Sequence, residues 1–365
     1  MATLNIVFVL LALFVWTEAR VATSLHRSFS AHSQNKEGDE GTTIKILVTT
    51  FNADSTNTPA PFITEMYKIV DESNPPDLIV LGLQEMVDIN NPPKALLDVK
   101  SKKAMWQRAL ATLNNYEEVM ASGMLGLFLT VLKRKQKSSK QAAFRVANPN
   151  KHKVKTGIMN QFGNKGGIGM SLTLNGLKVA FINSHLAAHE QNAEERIQDF
   201  VRISSEMKFA NKEAVTLNDH DAIIWMGDTN SRLSEVTRES AITEINADRH
   251  AKLWEDHDQL KKSQTSKRAF VDYHELPITF KPTFKYDKNT DVFDTSEKQR
   301  TPAWCDRILH KEKETGVVTQ LTYYSLPDIK FSDHRPVQSM FQVKLKSAEC
   351  DNSKPCEVAG SSKTV

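Results

Sequence analysis

Residues 222–233 read AIIWMGDTNSRL, and the fold turns on how that stretch is read. Ala222 to Met226 is an apolar, partly β-branched run of the kind that makes a strand buried on both faces. Gly227 then lets the backbone turn sharply, and the Asp228 carboxylate and Asn230 carboxamide, two residues apart, project from one rim. Gly-Asp alone is accounted for by an Asx-type turn closing a strand. A buried strand ending in small polar residues is also how α/β proteins present chemistry, and several other strands of this chain end the same way.

Upstream, the pattern predicts a strand over Ile44–Phe51 that ends in Asn52, and a helix over Pro61–Val70 with Phe62, Met66, Ile69 and Val70 on one face. A second apolar strand, Leu78–Leu83, runs into Gln84-Glu85. A helix over Trp106–Leu113 and a buried strand over Met124–Leu132 follow. Ile168, Met170, Leu172 and Leu174 alternate, Asn175-Gly176 is a strong hairpin signal, and Leu177–Ile182 returns into Asn183-Ser184-His185. Ala193, Ile197, Phe200 and Val201 define an amphipathic helix. Downstream, Asp248–Glu275 is helical or irregular, and Ala303–His310 and Val337–Leu345 are the last strands. With no boundary between residues 43 and 345, the expectation is one α/β domain, a four-layer sandwich of two packed mixed sheets flanked by helices.

The 365 residues can bury a large core, and a net charge of +3 names no partner. Ile6–Trp16 is apolar over the length of a secretory leader, followed by the small residues of Thr17-Glu18-Ala19. A signal peptide over residues 1–19 and export are expected, with an uncleaved anchor as the alternative. Residues 20–42 read as a linker and 346–365 as a tail, where Cys350 and Cys356 either close a small disulfide or stay as thiols. Cys305 reads as a buried filler.

Collected, the strand ends are Asn52, Glu85, His185, Asp228 with Asn230, Asp306 and Ser332-Asp333-His334. No cysteine cluster and no histidine pair at helical spacing points to zinc. Oxygen donors suit Mg²⁺ held by one or two carboxylates and a substrate phosphate, and histidines beside them suit hydrolysis of a phosphate ester.

In family order, the chain contains Leu83-Gln84-Glu85, Phe162-Gly163-Asn164-Lys165-Gly166-Gly167 and Asn183-Ser184-His185-Leu186-Ala187-Ala188-His189. Trp225 to Arg232, Phe280-Lys281-Pro282-Thr283-Phe284-Lys285-Tyr286, Pro302 to Leu309 and Ser332 to Val337 complete the set. Over residues 43–345 the sequence resembles the inositol polyphosphate 5-phosphatases of the endonuclease/exonuclease/phosphatase superfamily, which has a deoxyribonuclease-like fold. The resemblance implies that Asn52 and Glu85 hold a single Mg²⁺, that Asp228 orients and deprotonates the attacking water, and that Asn230, His334 and His185 donate to the phosphoryl oxygens. It further implies that Asp306 fixes the tautomer and charge of His334 and that Asp333 supports these groups without touching substrate.

By the same resemblance Lys285, Lys298 and Arg300 clamp the phosphate next to the scissile one, and Asn164 and Lys165 bind substrate. Phe284 stands where the family's Pro-Thr-Tyr-Lys has tyrosine, so one hydroxyl is lost to that neighbouring phosphate. The substrate implied is an inositol polyphosphate or a phosphoinositide. Peripheral contact with an anionic membrane is expected from Lys133, Arg134, Lys135, Lys137 and Lys140, and from Lys151, Lys153 and Lys155 ahead of Gly157-Ile158-Met159. A monomer with no nucleic-acid partner is expected. A phosphodiesterase or nuclease on the same fold, or an inactive phosphoinositide-binding module, is the alternative.

Overall fold

In the computed structural model the described residues are 42–68, 70–88, 92–136, 144–157, 165–210 and 214–346. The expected leader, Ile69, Lys137, Lys140, Ile158, Met159, Asn164, Cys350 and Cys356 lie outside them. The amino-terminal half runs β1 (Thr43–Asn52), α1 (Ala60–Lys68), β2 (Leu78–Gln84), α2 (Pro92–Leu110), β3 (Tyr116–Met124), β4 (Leu127–Arg134) and β5 (Val146–Lys155). The hairpin β6 (Gly166–Leu174) and β7 (Leu177–His185) leads to α3 (Ala193–Glu206), the small pair β8 (Lys208–Ala210) and β9 (Ala214–Thr216), and β10 (Ala222–Asp228). Last come α4 (Arg238–Asn246), α5 (His250–His257), α6 (Gln259–Thr265), β11 (Asp306–Glu312), β12 (Val318–Ser325) and β13 (Val337–Lys344).

The strands form a six-stranded sheet in the order β12-β13-β1-β2-β4-β3 and a five-stranded sheet in the order β11-β10-β7-β6-β5. Both sheets are mixed: β1 runs parallel to β2 and antiparallel to β13, and β10 runs parallel to β7 and antiparallel to β11.

Strand alternation shows how the layers stack. Ile44, Ile46 and Val48 of β1, Val80 of β2 and Ala222, Ile224 and Met226 of β10 meet in one core between the sheets. Leu47 and Phe51 of β1 and Ile79, Leu81 and Leu83 of β2 face outward onto Phe62 and Met66 of α1 and Trp106 of α2. Ile223 and Trp225 of β10 face the other way, onto Ile203 of α3 and Leu260 of α6. The result is helices, sheet, sheet, helices, the expected four-layer sandwich.

The inter-sheet core turns polar toward the ends of β2 and β7. Asn183 is fully buried there and donates to the carbonyls of Leu83 and Phe128, at 2.9 Å each, while accepting from Gln84 Nε2 at 2.6 Å. Gly82 makes room for it, since a Cβ there would lie 2.9 Å from Asn183 Cγ. Burying a carboxamide is costly unless it is hydrogen-bonded, so these bonds fix the alignment of the two sheets just beneath the strand ends.

Some expected elements are differently bounded. The strand expected over Met124–Leu132 is a hairpin, β3 and β4, with the turn at Leu125-Gly126 and Leu125 at φ 41°. Its first strand carries Glu117 and Glu118 on an exposed face, so it lacks the apolar run that marks its partner. The helix at Trp106 begins fourteen residues earlier, at Pro92. The expected strand at Ala303 starts only at Asp306, because Ala303 is spent on an isolated bridge to Phe284. On α3, Val201 is exposed, and the buried positions include Arg196 and Asp199.

Candidate active site

Strand register assembles the site. Gly166, His185, Asp228 and Asp306 are successive partners across β6, β7, β10 and β11, so three functional side chains leave one sheet side by side. On the other sheet Asn52 and Gln84 are partners at the ends of the parallel β1 and β2, and Glu85 follows at φ 47°. The two rims meet where Asn52 Nδ2 donates to Asp228 Oδ2 at 2.9 Å. The carbonyl of Asn52 accepts from Ser332 Oγ at 2.7 Å, which brings in the loop carrying Asp333 and His334.

Asp228 is the hub. Its Oδ1 accepts from the backbone N–H of Asn230 at 2.9 Å, and its Oδ2 lies 3.3 Å from His185 Nε2 and 3.9 Å from His334 Nε2. Burial opposes its charge, but the hydrogen bond from His185 and the positive charges of His334 and Lys165 outweigh that and hold the carboxyl well below the usual range. His334 is the opposite case. Its Nδ1 bonds Asp306 Oδ2 at 2.8 Å, and the same oxygen accepts from Thr283 Oγ1 at 2.7 Å. Burial works against the imidazolium, yet Asp306 raises its pKa to about 10. His185 is driven down, by burial first and then by the Lys165 ammonium that contacts its Nε2, and its buried Nδ1 has no partner. The site therefore sorts a carboxylate, an imidazolium and a neutral imidazole within a few ångströms.

Asn230 sits at φ 51° with its carboxamide held at both ends: Nδ2 donates to Leu186 O at 3.1 Å and Oδ1 accepts from Arg232 Nη2 at 2.8 Å. The Arg232 guanidinium lies 4.2 Å from the centre of the Phe284 ring, which also packs 4.6 Å from the His334 ring. Lys285 is paired with Asp333 at 3.2 Å, and Lys288 pairs with Asp54. Lys298 is exposed and Arg300 half-buried, with its N–H on Asp294 Oδ2 at 2.8 Å. The expected residues within the described segments thus fall on one rim or on loops bordering it, while Asn164 lies outside the described residues.

Among the described residues, two places at the rim offer oxygen donors for a cation. Asp228, Asp306 and His334 have ligand atoms within 4.8 Å of one another. But Asp306 Oδ2 is already engaged by His334 and Thr283, and a protonated imidazole has no lone pair to give. The other place is Glu85 and Asn52. Asn52 Oδ1 takes one long bond, from Asp54 N at 3.2 Å, and the Glu85 carboxylate stands 3.8 Å from His185 Nε2, beyond hydrogen-bond reach. A carboxylate, an amide oxygen and the neighbouring Asp228 carboxylate fit a hard divalent cation there.

Several contributors carry no spacing signal. Thr283 is legible only through its bond to Asp306, and Arg232 only through Asn230. Arg196 and Asp199 look like the solvated face of a helix in the sequence, yet both turn inward to the loop after His185.

Residues 49–340 match endonuclease/exonuclease/phosphatase family 2, and the chain belongs to that family. Within it, the chain is 42% identical over 197 residues to a type II inositol 1,4,5-trisphosphate 5-phosphatase of Mus musculus. It is 34% identical over 250 residues to a phosphatidylinositol 4,5-bisphosphate 5-phosphatase of Saccharomyces cerevisiae. These matches cover 53% and 67% of this chain but only 19% and 25% of the relatives' lengths. The inositol polyphosphate 5-phosphatase domain of a synaptojanin, solved with inositol (1,4)-bisphosphate and calcium, superposes with a TM-score of 0.72 at 29% identity, covering 85% of this chain and 87% of that one. A Cimex nitrophorin in its ferrous NO complex also superposes, at TM-score 0.63 and 24% identity over 83% and 99% of the two chains, a likeness of fold alone.

The His334–Asp306 pair makes stability depend on pH. Because the folded pKa of about 10 lies above the ordinary 6.5, the contribution is complete below 6.5 and is lost as pH rises through about 10. The gap in thermal stability between wild type and His334→Gln should accordingly be wider at pH 6 than at pH 10; a gap independent of pH would show that His334 is not held as a cation.

Proposed function

We propose that the protein is a metal-dependent phosphomonoesterase that removes the 5-phosphate of inositol polyphosphates or phosphoinositides by in-line attack of water. One observation carries the reading: Asp228 is fixed between an asparagine from the other sheet and two histidines, one cationic and one neutral. The similarity to named 5-phosphatases supports the substrate class.

Glu85 and Asn52 would hold the cation, and so few protein oxygens beside a substrate phosphate suit Mg²⁺; when bound it supplies positive charge to the phosphoryl and leaving oxygens. Asp228 orients the water. A carboxylate satisfied by this many donors is a weak base, and its basicity rises as His185 and Lys165 turn from it to the arriving phosphate. His334, cationic and aimed by Asp306, and Asn230, clamped by Arg232, donate to the equatorial oxygens as charge builds. Lys285 must leave Asp333 to meet a neighbouring phosphate. No side chain is needed as a nucleophile.

Phosphate release from soluble inositol trisphosphate should fall by at least about 10³-fold in Asp228→Asn and in His334→Ala. It should also stop with a chelator and return with Mg²⁺. Full turnover in either variant, or in chelator, would refute the roles given. Phe284→Tyr, in the same assay, should lower KM by restoring the hydroxyl.

Peripheral attachment to an anionic membrane is proposed through the strand β5 rather than the run at Lys133. Lys133 and Lys135 donate to the carbonyls of Phe144 and Asn114, and Arg134 pairs with Asp77. Lys151, Lys153 and Lys155 are exposed along β5 and gather with Lys103 of α2, Lys151 Nζ donating to Ala121 O at 3.2 Å, and burial and mutual repulsion lower the Lys153 pKa. Vesicles containing anionic lipid should bind the protein at low salt and release it at high salt; binding indifferent to salt would dismiss this surface. Export is proposed from the Ile6–Trp16 run, and the secreted polypeptide should begin at Arg20 on amino-terminal sequencing. Retention of the full leader would count against it.

A further inference from the structure

The loop that leaves β7 after His185 runs along the rim of the site and is held by α3. Leu186 N donates to Asp228 O at 3.0 Å and Ala187 N donates to Asp199 Oδ2 at 2.8 Å. Arg196 is buried, and its guanidinium donates to the carbonyls of Ala187, His189 and Glu190 at 3.0, 2.6 and 3.2 Å and to the Gln259 side chain. A buried arginine engaged with three carbonyls of one loop anchors that loop. What it anchors is His189, which has φ 76°, a left-handed conformation uncommon for a residue with a Cβ, and an exposed side chain.

The four strongest charges acting on His189 are Arg300, Arg232, Lys165 and Lys298. They come from three other segments of the chain and all are positive. Burial and then these four charges push the imidazole below its ordinary value, so it stands neutral among cations. Cations that converge repel one another unless an anion lies among them. A neutral imidazole can give such an anion an N–H without adding to that repulsion while the site is empty.

We propose that His189 is a specificity-determining residue, donating a hydrogen bond to the phosphate next to the one being cleaved and completing a cradle with Lys298 and Arg300. The inference rests on the phosphatase reading given above. It adds a residue that none of the expected roles includes.

Two variants suit the left-handed backbone and so separate the side chain from the turn. His189→Gly removes the imidazole, and His189→Asn keeps a shorter N–H donor. With an inositol phosphate substrate carrying the neighbouring phosphate, KM in His189→Gly should rise at least about tenfold more than with one lacking it, while kcat changes little; His189→Asn should fall between. An equal change with both substrates, or none, overturns the proposal. Calorimetric titration with inositol (1,4)-bisphosphate reads binding without turnover. Weaker binding to His189→Gly than to wild type supports the inference even if no substrate is hydrolysed, in which case only the phosphatase reading fails. Equal affinities, or no binding to wild type, overturn it.

Discussion

The hydrogen bond from the Asn52 carboxamide to the Asp228 carboxylate joins two sheets that share no strand. A hydrogen bond to a buried charge contributes about 1.5–3 kcal/mol, but its geometric role is larger than its energy. Everything on the β10 rim is placed relative to Asp228, and everything on the β1 rim relative to Asn52. The bond survives only if the sheets keep their alignment, and Asn183, pinned by Leu83, Phe128 and Gln84 in the layer below, sets that alignment. The polar centre of an otherwise apolar core is therefore part of the site's support.

On that frame the charge states follow from neighbours. Asp228, Asp306, His185 and His334 are all buried, and burial alone would make each of them neutral. Asp306 and Asp228 face His334 from two sides and keep it cationic, whereas burial, reinforced by Lys165, keeps His185 neutral. The two histidines are thus not interchangeable donors. One offers a fixed positive charge, and the other is a neutral group whose Nε2 already lies beside a carboxylate and an ammonium.

Much of this was legible in the sequence because it lay in runs. Ala222–Met226 and Leu78–Leu83 are apolar without interruption, and the polar residues that end them, Asp228 and Glu85, are those that reach the site. The hairpin at Asn175-Gly176 declared itself by turn chemistry. Elements whose apolar run is broken by exposed charges, such as β3 at Glu117 and Glu118, or whose apolar period is weak, such as the first half of α2, left no comparable mark. Site residues that act through another side chain were hidden for a related reason. Arg232, Thr283 and Arg196 owe their roles to partners brought near by the fold, and local pattern carries no information about those partners. Lys285 was visible as a cation but not as one already neutralised by Asp333.

The pairing of β1 with β13, from Thr43 opposite Lys344 to Thr50 opposite Val337, bears on how the protein is made. The ribosome delivers β1 early and β13 at the close of the domain, so the six-stranded sheet has a missing neighbour through nearly the whole of synthesis. Asn52 and the Ser332 hydroxyl that holds its carbonyl are 280 residues apart in the chain. A nascent polypeptide can build the β6–β7 hairpin from local contacts, but the rim at Asn52 cannot close until the Ser332 loop and β13 have been made. Completion of the domain and closure of its polar rim therefore coincide at one late step, the arrival of the 332–344 segment.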